Sequence, residues 1–304
     1  MDNTGNGFIE ATGNIDYTFT NNFMFQIILN KNNLVLRGLI SSLLHLPLEE
    51  IDSVVIENPI ELGKEIDQKN FILDIRVKLN NHTTINLEMQ VLNEYNWPDR
   101  SLSYLCRTFD QLYTGQDYSL THPVIHIGIL DFTLFPKSPE FYATYKLLNI
   151  KNHEVYNDKF ILSVLSLKQI ELATEDDKAW EIDKWSRLFA AKTWRDIKMI
   201  AENNEILTSA AESLYQYNSD WIVRERCRAR EEYERHEQYV KEKFARDEAT
   251  IKEQEVALRE QAATIKEQVT ALEGKEAIIE EQRKLLEEQE ALIKALKEKN
   301  ALAK

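Results

Sequence analysis

Apolar residues recur along this chain with different periods, and each period predicts a different kind of element. In residues 71–79 the apolar side chains are Phe71, Leu73, Ile75, Val77 and Leu79, with Asp74, Arg76 and Lys78 between them. In residues 83–91, Ile85, Leu87, Met89 and Val91 alternate with Asn86, Glu88 and Gln90. Alternation puts successive side chains on opposite faces of a strand, and the intervening Asn80, Asn81 and His82 are turn formers, so the two runs predict a hairpin. A turn centred on Asn81 sets Asp74 directly across from Glu88 on the polar face. Like charges so placed weaken a hairpin unless something positive sits between them.

The flanking segments change period. Phe23, Ile27, Leu34, Leu36 and Leu39 fall at roughly helical spacing and predict helix over residues 21–44, interrupted at 30–33. Pro47 ends that helix, and residues 51–56 read as a short strand closed by Asn58 and Pro59. A helix is expected over 98–118, with Leu102, Leu105, Phe109, Leu112 and Tyr113 as its apolar stripe and Gly115 as its stop. The run PVIHIGIL at 123–130 has the uninterrupted, β-branched character of a buried strand. Strand, helix, strand is a crossover, so 124–130 is expected to lie parallel to a hairpin strand, giving an α/β fold with a central mixed sheet. Residues 141–148 and 159–167 would extend the sheet. From Lys178 the chain reads as helical, with Trp180, Trp185, Leu188, Phe189 and Trp194 as packing anchors.

A third period appears near the end. Phe244, Ile251, Leu258, Ile265, Leu272, Ile279, Leu286 and Ile293 stand seven residues apart without exception, which predicts a left-handed coiled coil over 244–296. The hexapeptide ATIKEQ begins at Ala249 and again at Ala263, two heptads on. At 1.5 Å per residue, positions 251–296 span roughly 70 Å. With the eight residues at a, the d positions are Gln254, Gln261, Gln268, Lys275, Gln282, Gln289 and Leu296, and Ile278, Leu285 and Leu292 widen the stripe toward the end. A homodimer is the most economical closed assembly, while the glutamine seam leaves trimers, antiparallel pairing and hetero-association open. The competing expectation is a single charged helix held by i,i+4 Glu and Lys pairs.

Composition separates the same parts. All five Trp lie at or before Trp221, and 304 residues at 43% apolar and 29% charged suffice for one large domain and an extension. The expected division is a flexible 1–14, an α/β domain over 15–175, a helical continuation over 176–243 and a coiled coil over 244–300. A net charge of -14 argues against wrapping nucleic acid by overall charge, while leaving room for a locally basic or metal-bound cleft. Cys106 and Cys227 form neither a disulfide framework nor a zinc cluster, no apolar run reaches membrane-spanning length, and MDNTGNGFIE lacks signal-peptide features. A reducing, cytoplasmic location without membrane contact is the expectation.

Candidate chemistry sits on the polar face of the hairpin. Glu88 and Gln90 point to one side of a strand and Asp74 lies opposite Glu88, so three oxygen ligands converge on one exposed patch, with the Met89 carbonyl as a further donor. Hard divalent cations such as Mg2+ and Mn2+ prefer such oxygens. A bound cation lowers the pKa of a water and stabilises a pentavalent phosphate. Arg100 and Arg107, seven apart on one helix face, are candidates for phosphate contacts, with pairing to Asp99 and Asp110 as the other reading. On spacing alone, an ordinary hairpin surface would look the same. His122 and His126 lack a third ligand and read as structural, Asp131 reads as a loop cap, and Cys106 as packed beside Leu105. No Gly-rich phosphate loop or nucleophile elbow is present.

The run ILDIRVKLNNHTTINLEMQ resembles the core of the PD-(D/E)XK nuclease family transposases, also described as recombination-promoting nucleases. In that family an Asp in an L-D-V/I context is followed fourteen residues later by a Glu in an N-I-E-I-Q context. Asp74 and Glu88 match this interval, and Gln90 matches the residue that replaces the lysine of the wider superfamily. The resemblance continues through FTNNFMFQIIL, RSLSYLCRTFDQLYTGQDY, HPVIHIGILDFTLFP, DKWSRLF and EEYERHEQY, over roughly residues 15–245. It implies a restriction-endonuclease-like core, metal-dependent DNA cleavage and a link to mobile elements. On this resemblance Asp74 and Glu88 hold Mg2+, Gln90 positions the attacking water, and Arg76 or Lys78 neutralises the scissile phosphate, with Lys69 and Arg76 as candidates for the positive charge that Gln90 lacks. Two positions depart from the family: Asn22 and Gln26 stand where many members carry an acidic residue and a lysine. The competing functions are a catalytically degenerate DNA-binding relative and a scaffold that presents the coil.

Overall fold

The computed structural model describes residues 4–57, 74–110, 112 and 116–302. The chain divides into two units, Met1–Tyr233 and Glu234–Lys304.

The first unit opens with α1 (Thr4–Glu10), α2 (Asn22–Lys31) and α3 (Asn33–Leu44). The interruption expected at 30–33 falls at Asn32, whose side chain accepts from Val35 N to cap α3, while its Nδ2 donates to Ser209 and Ser213 Oγ. Within the N-terminal stretch expected to fray, Thr4–Glu10 are helical as α1. Phe8 is buried there against Trp194 and Tyr215, with ring centroids 6.4 and 6.3 Å away. Its partners lie far along the chain, so local composition carried no sign of them.

The strands are β1 (Val54–Ile56), β2 (Asp74–Leu79) and β3 (Thr83–Gln90); the helix α4 (Trp97–Phe109) follows, then β4 (Val124–Leu130), β5 (Tyr142–Leu148) and β6 (Val155–Ser166). Among the described residues they form one mixed sheet in the order β1-β2-β3-β4-β6-β5. The hairpin takes the expected register, with Asp74 opposite Glu88, and its turn holds Asn80 and Asn81 at φ 48° and 57°, a left-handed conformation that Asn tolerates. β4 runs parallel to both β3 and β6, as the crossover required, and β5 is antiparallel to β6. Asn58, Pro59, Lys69, Phe71 and Leu73 lie outside the described residues.

One face of the sheet builds the main core. Ile85, Leu87 and Met89 of β3 and Ile127 and Ile129 of β4 pack in one cluster with α2, α3 and three of the helices that follow the sheet, α6 (Ile182–Ala190), α7 (Trp194–Ala201) and α8 (Glu205–Ser219), with the short α5 (Glu175–Ala179) preceding them. Trp185, Leu188, Phe189 and Trp194 are buried as expected, and Trp185 Nε1 donates to Ser42 Oγ at 3.0 Å.

The other face corrects two expectations. α4 ends at Phe109 rather than continuing to Tyr118, and it buries Trp97, Ser101, Leu105 and Thr108, leaving Leu102 at 46% exposure and Cys106 exposed. The reason is the surface it covers. β3 offers Asn86 and Glu88 on that side, so the helix turns polar groups inward to meet them, and Asn86 Nδ2 donates to Thr108 Oγ1 at 2.8 Å.

The helix α9 (Trp221–Leu302) begins in the first unit, where Val223 and Cys227 are buried. In the second unit the eight heptad residues from Phe244 to Ile293 are between 52% and 71% exposed. Surface pairs such as Glu248 with Lys252, 2.8 Å apart, line the same helix.

The two thiols should behave oppositely. Burial first, and Glu231 second, push Cys227 up to about 12. A native-state maleimide reaction is expected to label Cys106 and spare Cys227 until the protein unfolds. The unfolded thiol ionises near 9.0 and the folded one near 12, so stability from this group is full below the first value and declines as pH rises toward the second. Rapid native labelling of Cys227 would refute this placement.

Candidate active site

Glu88 lies between two strands, with Asp74 of β2 as its partner on one side and Gly128 of β4 on the other. Gly128 is what lets α4 approach. A Cβ there would stand 2.0 Å from the Trp97 ring, so the indole fills space that any other residue would take. With Trp97 seated, the first turn of α4 delivers Arg100 to Glu88. Arg100 Nε donates to Glu88 Oε1 at 2.9 Å, Nη2 lies 2.8 Å from the same oxygen, and the guanidinium sits 5.3 Å from the centroid of the Tyr104 ring.

Glu88 is therefore not on the exposed patch that alternation suggested. Its side chain is 1% exposed, beneath α4 and beside His126. His126 on β4 is fully buried, stacked at 6.2 Å on Tyr104 and 5.6 Å from Trp97 between ring centroids. Burial, and then the Arg100 charge, push its imidazole down to about 4, so it is neutral near pH 7. Its Nε2 stands 3.7 Å from Glu88 Oε2, and a neutral ring at that distance makes a packing contact rather than an ion pair. Arg100 is the counter-charge.

Gln90 closes β3. Its Nε2 donates to Leu92 O at 3.0 Å, and its Oε1 is buried with no hydrogen-bond partner among the described residues. The Met89 side chain points into the core, which leaves only its carbonyl as a candidate donor. Asp131, just past β4, pairs with Lys168 at 2.9 Å.

The other sequence candidates disperse. Arg76 is exposed opposite Asn86, and Lys78, roughly 13 Å along the strand from the level of Glu88, reaches Thr84 Oγ1 at 3.4 Å. Arg107 is exposed two helical turns beyond Arg100. Asn22 is buried on α2 and Gln26 is half-buried there. Lys69 lies outside the described residues. The Trp97 seat and the Arg100 link to Glu88 were missed by sequence reasoning, while His126, read as structural, is buried beside them. Their signals were a histidine and a glycine inside an otherwise apolar strand, which mark a buried polar layer and a close approach.

Among the described residues, no group of three or more His, Cys, Asp or Glu side chains is placed to hold a metal. The donor set still suits a hard cation. It consists of oxygens, Asp74 and Glu88 are cross-strand partners in the backbone register, and the orphaned Gln90 Oε1 is an acceptor that a cation or its water would satisfy.

A mixed sheet whose central hairpin pairs an Asp with a Glu, followed by a helical crossover to a parallel strand, is consistent with the core of a PD-(D/E)XK nuclease. The model of the PD-(D/E)XK nuclease family transposase matches residues 14–244, and the chain belongs to that family. No curated protein and no solved structure matches it. Membership places the chain among nucleases related to mobile elements, which act on DNA and generally use divalent metals. Among the described residues no helix is long and apolar enough to cross a membrane.

Gly128→Ala tests the approach of α4. The added methyl forces the Trp97 ring away, and a loss of roughly 1–3 kcal/mol is expected in chemical denaturation. Unchanged stability would mean that the helix does not sit where Glu88 needs it.

Proposed function

We propose that this protein is a metal-dependent DNA endonuclease that hydrolyses phosphodiester bonds in the context of mobile elements, recombination or defence. The observation that carries the reading is the pairing of Asp74 with Glu88 across the hairpin, two residues from the orphaned Gln90 oxygen, in a member of this nuclease family. Asp74, Glu88, Gln90 and the Met89 carbonyl would hold Mg2+ or Mn2+. When bound, the ion would acidify a water and offset charge on the phosphate. Gln90 orients that water through its amide, and Arg76, Lys78 and Arg107 are the candidate contacts for neighbouring phosphates. Such a local arrangement accommodates DNA despite the net charge of -14.

A second reading has one observation in its favour. Arg100 already holds Glu88 with two nitrogens, as it would in a catalytically degenerate DNA-binding relative. Cleavage of supercoiled and linear DNA with Mg2+ or Mn2+ separates the two. The endonuclease cuts with either ion, and Asp74→Ala reduces cutting at least about a hundredfold without changing the fold. Cutting that survives both Asp74→Ala and Glu88→Ala defeats the assignment, and DNA binding without any cutting favours the degenerate relative.

We also propose that residues 244–296 pair with a second copy of the chain as a coiled coil. The exposed heptad stripe supports this, since a row of apolar side chains in water is stabilised by burial against a matching helix. Removing residues 250–304 should lower the oligomeric state in sedimentation and affect cleavage only secondarily. A truncated protein that keeps the full assembly would assign the interface to the first unit.

A further inference from the structure

The residue at position 90 is neutral, and this leaves a gap in the charge of the site. Two carboxylates and a divalent ion sum to zero, so the cluster carries no net positive charge to set against the anionic phosphodiester or the further negative charge of its transition state. Among the candidate cations, Lys69 lies outside the described residues, Arg76 is exposed opposite Asn86, and Lys78 reaches Thr84. Arg100 is different. It comes from another element, places Nε and Nη2 on Glu88 Oε1 at 2.9 and 2.8 Å, and is braced over Tyr104 at 5.3 Å.

We propose that Arg100 supplies the positive charge of the site from helix α4, acting as a positioning residue that orients Glu88 while giving the Asp74, Glu88 and metal cluster the net charge that a phosphodiester requires. The inference rests on the endonuclease reading and assigns the cation to a residue outside the hairpin. Arginine suits the task because its fork sets two parallel N–H groups in a fixed plane and it stays protonated even when largely removed from water. It also bears on the like-charge problem posed by the hairpin: the positive partner of Glu88 comes from α4 rather than from either strand. The contact is not an obstacle to catalysis on this view, since one oxygen of Glu88 is held and the ion pair stays in place through the reaction.

The test keeps the charge and removes the fork. Arg100→Gln and Arg100→Lys are compared with wild type in two assays: Mg2+-dependent cleavage, and affinity for a fluorescent duplex in the absence of metal. Arg100→Gln should lower kcat about a hundredfold and weaken metal-free duplex binding about tenfold, the effect of one unit charge at short range. Arg100→Lys should keep most of the duplex affinity and cleave at least about tenfold faster than Arg100→Gln. A residue that merely fills a structural role would lose as much with lysine as with glutamine. The proposal is overturned if Arg100→Lys is no better than Arg100→Gln in either assay, or if Arg100→Gln matches wild type. Should Arg100→Gln not fold, Arg100→Lys decides alone: folded with near wild-type duplex affinity upholds the proposal, and unfolded or without that affinity overturns it. A wild type that cuts no DNA with any divalent ion refutes the endonuclease reading instead, and the metal-free affinities still judge Arg100.

Discussion

Burying one carboxylate in the middle of a sheet sets the terms for everything packed around it. Glu88 at 1% exposure would cost several kcal/mol if left ionised without a partner, and Arg100 offsets part of that cost with a hydrogen bond from Nε and an ion-pair contact from Nη2, both to one oxygen. Arg100 reaches Glu88 only because α4 lies against the polar face, and α4 lies there only because Gly128 leaves room for Trp97. Once the helix is seated, Thr108 meets Asn86, and His126 is enclosed between Trp97 and Tyr104. The chain of dependence runs from a missing side chain on β4 to the ion pair of a residue on β3.

β3 thus serves two surfaces at once. Its odd positions, Ile85, Leu87 and Met89, are locked in the main core, while its even positions carry Asn86 and Glu88 under α4 and Gln90 at the strand end. A ligand set on a strand anchored in this way keeps its geometry without loop ordering, which is the requirement for a site that must place a cation and a water within fractions of an ångström. The cost of the arrangement is a layer of buried polar groups that must all find partners. The unpartnered ring nitrogens of His126 and the Gln90 Oε1 mark where that layer adjoins the chemistry.

The second unit obeys a simpler rule. Its helix needs no tertiary contact to satisfy its backbone, and its surface ion pairs add only tenths of a kcal/mol each. The regular apolar stripe from Phe244 to Ile293 is left in water in a single chain. On the reading proposed above, a second copy covers it and raises the local concentration of one nuclease domain at the other's DNA.

Much of the fold was legible in consecutive residues. Alternation in 71–79 and 83–91 with Asn80 and Asn81 between them determined the hairpin and its register, because side-chain direction along a strand and left-handed tolerance in a turn are local properties. The apolar run at 124–130 determined a buried parallel strand through the crossover rule, and the heptad determined the long helix. What only the tertiary structure decided was which side of the hairpin is wet. Alternation shows that Asp74, Glu88 and Gln90 share a face, but that face is polar whether it meets water or a helix bearing its own polar stripe. α4 was misread for the same reason: Ser101 and Thr108 look like surface residues until Asn86 and Glu88 lie beneath them. The Arg100 contact joins residues twelve apart, and the seat of Trp97 depends on Gly128 in another strand. Such pairings are fixed by how elements pack, and periodicity along one element does not contain them.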